Sequence, residues 1–475
     1  MKNFCIFAEY YTKYMNVHNI ATGVMRALAC LVFMVCSLIF CGSNRVCAQA
    51  ERPSHENTTY CYDFESDGFY FRVLNDQCVA VTAERITKDE KGLRTYYNVL
   101  LQQQLTVPGT VAHADTIYKV VAVDQGAFAG LALTDVELPP SVLTIGSEAF
   151  AGCHSLVKVS LPDKLQAIGD SAFANCSSLA AIRFPKGVEH IGRYAFAGCA
   201  KLQKLSIEKG NTHFAVKGGA IYDASLRVLL SSPAAKGTVA VPGDVEKIGE
   251  GAFAGCAALQ SVALPQSVKE IGEGAFRNSG LRNISLPRGL TTVAPYTFAN
   301  TRLSGLVLPM GIVEIEQSAF EGSTIGSISL PNSLLRIGEH AFRKTFLKSV
   351  GFPDALSDIG MGAFENCPLY AISFGNGLVS IGPRAFQDAP VVQLELPAKL
   401  MYIGEDAFAG CSRLLDIHML ATTPPMIEQN NFATNAYFGI KEGYEITLHV
   451  PQNAATAYKA APGWKNFQTL LQSER

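Results

Sequence analysis

The chain has 475 residues, 48% of them hydrophobic and 17% charged, with a formal net charge of −2. That balance excludes a disordered chain, which needs low hydrophobicity and high net charge. It also excludes a nucleic-acid binder built on phosphate neutralisation, which needs an excess of Lys and Arg. Forty-one glycines and 22 prolines point to many turns and to β structure. At ~100–200 residues per domain the length suggests several ordinary domains, unless a repeat lifts the usual size limit.

The first element, residues 1–50, reads as a signal peptide and leader. Arg26 precedes the apolar run Ala27 to Phe40, and Ala48-Gln49-Ala50 follows as a small-x-small cleavage site. A membrane helix needs ~20 apolar residues, so this run is too short to span. Met15 and Met25 are alternative starts to Met1. Cys41 follows Leu38-Ile39-Phe40 and lacks the small residue that a lipid-anchored cysteine needs before it. Cleavage would leave 35 basic and 40 acidic residues, a net charge of −5, and eight of the 13 cysteines. No later apolar run is long enough to span a membrane, so export to the cell surface or medium is expected.

Residues 51–117 alternate in strand fashion, as in Tyr70-Phe71-Arg72-Val73-Leu74, and are expected to form a β-rich N-terminal cap. From there the pair Ala-Phe recurs. Its phenylalanines are Phe128, Phe150, Phe173, Phe196, Phe253, Phe276, Phe298, Phe320, Phe342, Phe364, Phe386 and Phe408. Their spacings are 22, 23, 23, 57, 23 and then six times 22. Five residues before each Phe stands Ile or Val, usually followed by Gly, as in Ile168-Gly169. Between one Phe and the next runs an alternating segment ending in Pro, such as Leu156-Val157-Lys158-Val159-Ser160-Leu161-Pro162.

A period of 22–23 with this leucine spacing predicts a β-rich α/β solenoid, a leucine-rich repeat array of about twelve turns over 118–420. In each turn the Pro-terminated run gives one short strand and the Ile-Gly piece a second. The Ala-Phe step is expected on a helical or irregular turn, with Phe in a core shared between neighbours. Strands ~4.8 Å apart would make twelve turns a rod of about 55–60 Å. The 57-residue gap equals one turn plus 34 residues. The surplus is expected near 210–237 as a hairpin over Gly219–Leu230 that projects from one face. Residues 421–475 read as a C-terminal cap, with strand Leu448-His449-Val450, a short helix over Asn453–Ala460 and the only Trp, Trp464.

The pattern Leu-x-x-(Ile/Val)-x-(Leu/Phe)-Pro…Ile-Gly-x-x-Ala-Phe-x-x-Cys resembles the BspA-like leucine-rich repeat proteins of bacterial cell surfaces, strongly from Tyr118 to Met419. Local departures are Val293-Ala294 and Ile315-Glu316 for Ile-Gly, Thr297 for Ala, and Phe374-Gly375 for the Leu-Pro step. The ending, Val-Pro followed by a Tyr-Lys helix and Trp-Lys-x-Phe, is similar to that family's C-terminal cap. The resemblance implies adhesion, host-protein binding or contact between cells, and no catalytic motif to carry over.

Cys153, Cys176, Cys199, Cys256, Cys367 and Cys411 each stand three residues after a repeat Phe. Other turns hold Leu131, Ser279, Thr301, Ser323, Thr345 and Ala389 there, which marks a packing slot for small side chains. No C-x-x-C and no histidine at ligand spacing accompanies them, so neither a metal nor another cofactor is expected. Cys61 and Cys78 lie in the N-terminal cap and are expected to form a disulfide in an oxidising compartment. Asp63–Gly68 starts like a calcium loop but puts Leu74 where a bidentate Glu belongs. Gly249–Ala254 matches a dinucleotide pattern only because it is the repeat step itself. An enzyme is not expected.

What remains is surface. The outward position in each first strand is mostly small, with no Trp or Tyr. Basic and aromatic side chains nearby make Lys158, Arg183, Lys204, Arg282, Lys348 and Tyr370 the candidate binding face. The sequence thus predicts an exported, non-enzymatic binding protein whose partners are extracellular proteins of the host matrix or other cells. Glycans are the alternative partner, in an envelope carbohydrate-binding accessory protein. Neither nucleic acid nor a membrane span is expected.

Overall fold

The computed structural model describes residues 58–88, 94–97, 103–427, 446–467 and 469–473. The signal peptide expected over residues 1–50 therefore lies outside the described residues. Among those described, no helix is long and apolar enough to cross a membrane.

The repeats stack into two parallel strand ladders joined by tight turns. The first ladder takes the Pro-terminated segments, among them Gln104–Thr106, Asp135–Glu137 and Lys158–Ser160, in register with Val136 opposite Val159. The second takes the Ile-Gly segments and runs without a break from Thr292–Val293 to Met426–Ile427. Alternation does the sorting: Val159 is buried while Lys158 and Ser160 are exposed. All twelve repeat phenylalanines are buried, and their rings stack turn on turn with centroids 5.0–5.6 Å apart.

The turns that carry Phe are not helical. In each, the residues two before and two after the Phe hold positive φ, as with Glu148 (59°) and Gly152 (73°) around Phe150. A right-handed helix cannot contain two left-handed residues four apart. The helical share of the expected α/β architecture is thereby corrected to almost none. Among the described residues the one α-helix is α1, Ala455–Ala460.

The gap between Phe196 and Phe253 is also different from expectation. It holds a thirteenth turn that lacks its phenylalanine. Val228–Ser231 takes the second-ladder place and pairs in parallel with Lys247–Ile248, and Gly237–Ala240 takes the first-ladder place. Ser232 occupies the phenylalanine slot: its amide donates to the Ala252 carbonyl (2.7 Å), as that of Phe150 does to Ala172. Two further strands, Phe214–Lys217 and Ala220–Asp223, pair antiparallel with each other and with Val228–Ser231. This hairpin does not project. Ile221, Tyr222 and Leu229 are buried.

With Ser232 in the slot, the ring stack stops at Phe196 and restarts at Phe253. The interior accordingly divides into two apolar clusters, one from Phe64 to Ile221 and the other from Ala220 to Trp464. On the turn side the flanking loops meet across the short turn, Gly198 amide to Ala254 carbonyl at 3.1 Å. The Tyr194 ring lies over Gly251 and Gly274, where any Cβ would overlap it, and its hydroxyl donates to the Glu273 carbonyl (2.8 Å).

The ends are covered differently. At the N-terminal end, Phe64–Ser66, Phe69–Asn75 and Cys78–Thr82 form antiparallel strands, and the last continues in parallel into Thr116–Val123 of the second ladder. At the other end Thr447–Pro451 and Thr469–Ser473 extend the first ladder. Tyr458 and Trp464 are buried there, with Trp464 Nε1 donating to the Pro425 carbonyl (2.8 Å).

The cysteines of the repeat are buried thiols, each donating to the carbonyl of the preceding turn's slot residue, as Cys153 does to Phe128 (3.0 Å) and Cys256 to Ser232 (3.2 Å). Burial pushes Cys153, Cys256 and Cys411 up to about 12, and Cys367 up to about 11. Contact with Cys199, then burial, raises Cys176. Thiol titration should find these six unreactive in the native protein and all six reactive after denaturation; a disulfide linking Cys153, Cys176 or Cys199 would contradict the arrangement.

The disulfide expected between Cys61 and Cys78 is not formed in this structure. The Cys61 amide binds the Glu84 carbonyl (3.2 Å), while Cys78 begins the strand that leads toward Glu84. Six residues of nearly extended chain, about 20 Å at ~3.3 Å each, exceed the Cα reach of a disulfide.

Candidate binding surface

Lys158, Arg183, Lys204, Arg282, Lys348 and Tyr370 are all exposed, but the structure does not bring them to one place. Lys158, Arg183 and Lys204 sit on three successive first-ladder strands, with Ala181 in register with Lys204 and Arg183 with Ser206. Two of them face acidic neighbours. Asp135 stands in register with Lys158, and Arg183 Nη2 lies 2.5 Å from Glu208 Oε1. Arg282 stands apart, its amide on the Gln260 carbonyl. Lys348 and Tyr370 are turn-to-turn neighbours, the Tyr370 amide donating to the Lys348 carbonyl (3.0 Å).

Between these groups the strand face is bland. Ser261 and Ala263, Asn283 and Ser285, Gly305 and Val307, then Ser327 and Ser329 occupy the outward positions of consecutive turns. Ser349 with Gly351 and Ala371 with Ser373 continue it. No charge interrupts this stretch.

The repeat sequence matches the family model described as the BspA type leucine rich repeat region in six copies, over residues 118–227, 236–348 and 335–438. The chain belongs to the BspA-type leucine-rich repeat family. Three solved structures are similar to this BspA-type chain. A leucine-rich repeat protein from Bacteroides ovatus shares 23% identity over 87% of this chain and 100% of its own, with a TM-score of 0.47. A leucine rich cell surface protein from Faecalibacterium prausnitzii shares 23% over 86% and 97%, with a TM-score of 0.42. The pneumococcal vaccine antigen PcpA shares 16% over 87% and 98%, with a TM-score of 0.41. Among curated proteins none matches.

Two features of this BspA-type surface escape a reading by residue type. Among the described residues, twelve of the fourteen large exposed apolar side chains lie between Val307 and Met426, so the apolar surface belongs to the C-terminal core. One group forms a column at the entrance to the first ladder: Tyr370 (55% exposed), Val392 and Leu415 (46%), the Leu415 amide on the Val392 carbonyl. Phe346 (58%) stands two residues before Lys348 at its edge. Alternation flags strand residues only, and these lie just before the strands.

The second feature is an open groove of about 950 Å³ at the end of the same face. There Glu395, His418 and His449 stand in register on three parallel strands. The two imidazoles stack at 4.1 Å with planes 1° apart, and His449 Nε2 lies 3.3 Å from Asp416 Oδ1. Among the described residues no three His, Cys, Asp or Glu side chains are placed to hold a metal ion.

Proposed function

We propose that this BspA-type chain is an exported, non-enzymatic adhesion protein that grips extracellular proteins with the C-terminal part of its solenoid. The observation that carries this is the exposed column Tyr370, Val392 and Leu415 beside Phe346 and Lys348. Scattered exposed apolar residues need no explanation, but a contiguous patch marks an interaction site. Tyr is among the residues enriched at protein hot spots, and the bland stretch of strand face offers none. The cell-surface name of the Faecalibacterium relative agrees with an exported location. The short apolar run before Ala48-Gln49-Ala50 supplies the export signal.

The basic residues Lys158, Arg183 and Lys204 then play a minor part: Glu208 pairs with Arg183, Asp135 stands in register with Lys158, and exposed charges contribute little. Surface-binding assays against immobilised extracellular-matrix proteins test this. Tyr370→Ala combined with Leu415→Ala should weaken binding at least tenfold, the loss of about 1.4 kcal/mol or more that a hot spot implies. Reversing Lys158, Arg183 and Lys204 to Glu should change it by less than about threefold at physiological salt. The opposite ranking would return the contact to the N-terminal strands and overturn the assignment.

A further inference from the structure

We propose that the groove at the C-terminal end of the strand face is a binding site for a neutral oligosaccharide, distinct from the protein contact at Tyr370. The groove forms where the last repeat strands, Gln393–Leu396 and Asp416–Met419, meet the capping strand Thr447–Pro451. Its volume of about 950 Å³ is that of a ligand site rather than a surface crease.

The lining selects the ligand. Gln393, Glu395, Gln452 and Asn453 offer planar amide and carboxylate edges, and Thr422 adds a hydroxyl. Such edges present hydrogen-bonding atoms in pairs, which suits the neighbouring hydroxyls of a sugar ring. Among the described residues no Lys or Arg lines the groove, so apart from His418 and His449 a phosphate, sulfate or carboxylate ligand would meet Glu395 with no counter-charge. Met419, Leu420 and Pro451 supply an apolar strip.

The polar edges are held ready. A carboxylate only accepts, so His449 donates through Nε2 to Asp416. The parallel stack at 4.1 Å fixes the His418 plane against it. Backbone register places Glu395 on the next strand. Groups locked before the ligand arrives lose little entropy on binding, which is how weakly apolar sites retain affinity.

Calorimetric titration of the full chain with neutral hexasaccharides of glucose, mannose and xylose, beside a sulfated hexasaccharide, decides the matter. At least one neutral sugar should bind and the sulfated one should not. Glu395→Ala and His449→Ala should each weaken that binding about tenfold, the effect of removing a hydrogen bond to a charged or fixed partner. Glu395→Gln, which keeps a planar edge, should lose less than Glu395→Ala. Unchanged melting of each variant would show that the groove and not the fold was altered. Tyr370→Ala with Leu415→Ala should leave sugar binding intact, so failure of the protein contact and failure of this site are distinguishable. No binding by any of the three neutral sugars, preference for the sulfated one, or indifference to both alanine variants would each overturn the proposal.

Discussion

Replacing Phe320 with alanine should cost ~3–5 kcal/mol of stability, the range for large-to-small changes in packed cores. Phe320 is fully buried and stacks between Phe298 and Phe342 at 5.3 and 5.0 Å. Each turn touches only its neighbours, so the damage should remain on its own side of the Phe-less turn. Trp464, the only tryptophan, lies in the same apolar cluster as Phe320 and reports that cluster alone. Its fluorescence should therefore melt early in Phe320→Ala and unchanged in Phe173→Ala, whereas circular dichroism should register both. A Phe320→Ala protein melting within about a degree of its parent, or a Trp464 signal that follows Phe173→Ala, would contradict this division of the core.

Deleting residues 210–237 should be more damaging still. Read as a projecting insertion, this segment would be dispensable. In the structure it places Ile221 against one cluster and Ala220, Tyr222 and Leu229 against the other, so its removal uncovers the end of both. Burying one such side chain is worth ~1.5–3 kcal/mol, and several together exceed much of a domain's net stability. The deletion should yield insoluble protein or a broad, early transition. The milder Ile221→Ala should lower stability by ~2–5 kcal/mol and bring the two transitions further apart. A soluble deletion variant with parental melting would show that the hairpin is a decoration after all.

The repeat was legible because one bulky residue type returns at one slot and the outward positions alternate with it. Phe150, Ile168 and Val159 declare their burial by spacing alone. The turn geometry was not. Many of the left-handed positions around Phe are Gly, Asn or Asp, but Glu148, Ser171, Tyr194 and Lys344 fill others, and none of these four announces a positive φ. The thirteenth turn was hidden for a related reason. Three residues separate Leu229 from Ser232, against five from Ile248 to Phe253, and a serine stands where the period asks for Phe.

For the surface, the sequence identified exposed side chains but not their company. Arg183 looks like an available cation until the fold brings back Glu208, 25 residues later. The groove needed Glu395, His418 and His449, which are far apart in the chain and adjacent only through strand register. Cys61 and Cys78 show the converse: close in sequence and chemically suited, they are parted by the length of one strand.

The hydrogen bond from each repeat thiol to the carbonyl of the turn before has a consequence for the medium the protein meets. Disulfide exchange and oxidation proceed through the thiolate. A thiol held near 12, as Cys153, Cys256 and Cys411 are, carries about a thousandfold less thiolate at neutral pH than an ordinary cysteine near 9. The native protein's stability should then be indifferent to redox poise, holding equally in oxygenated and anoxic surroundings.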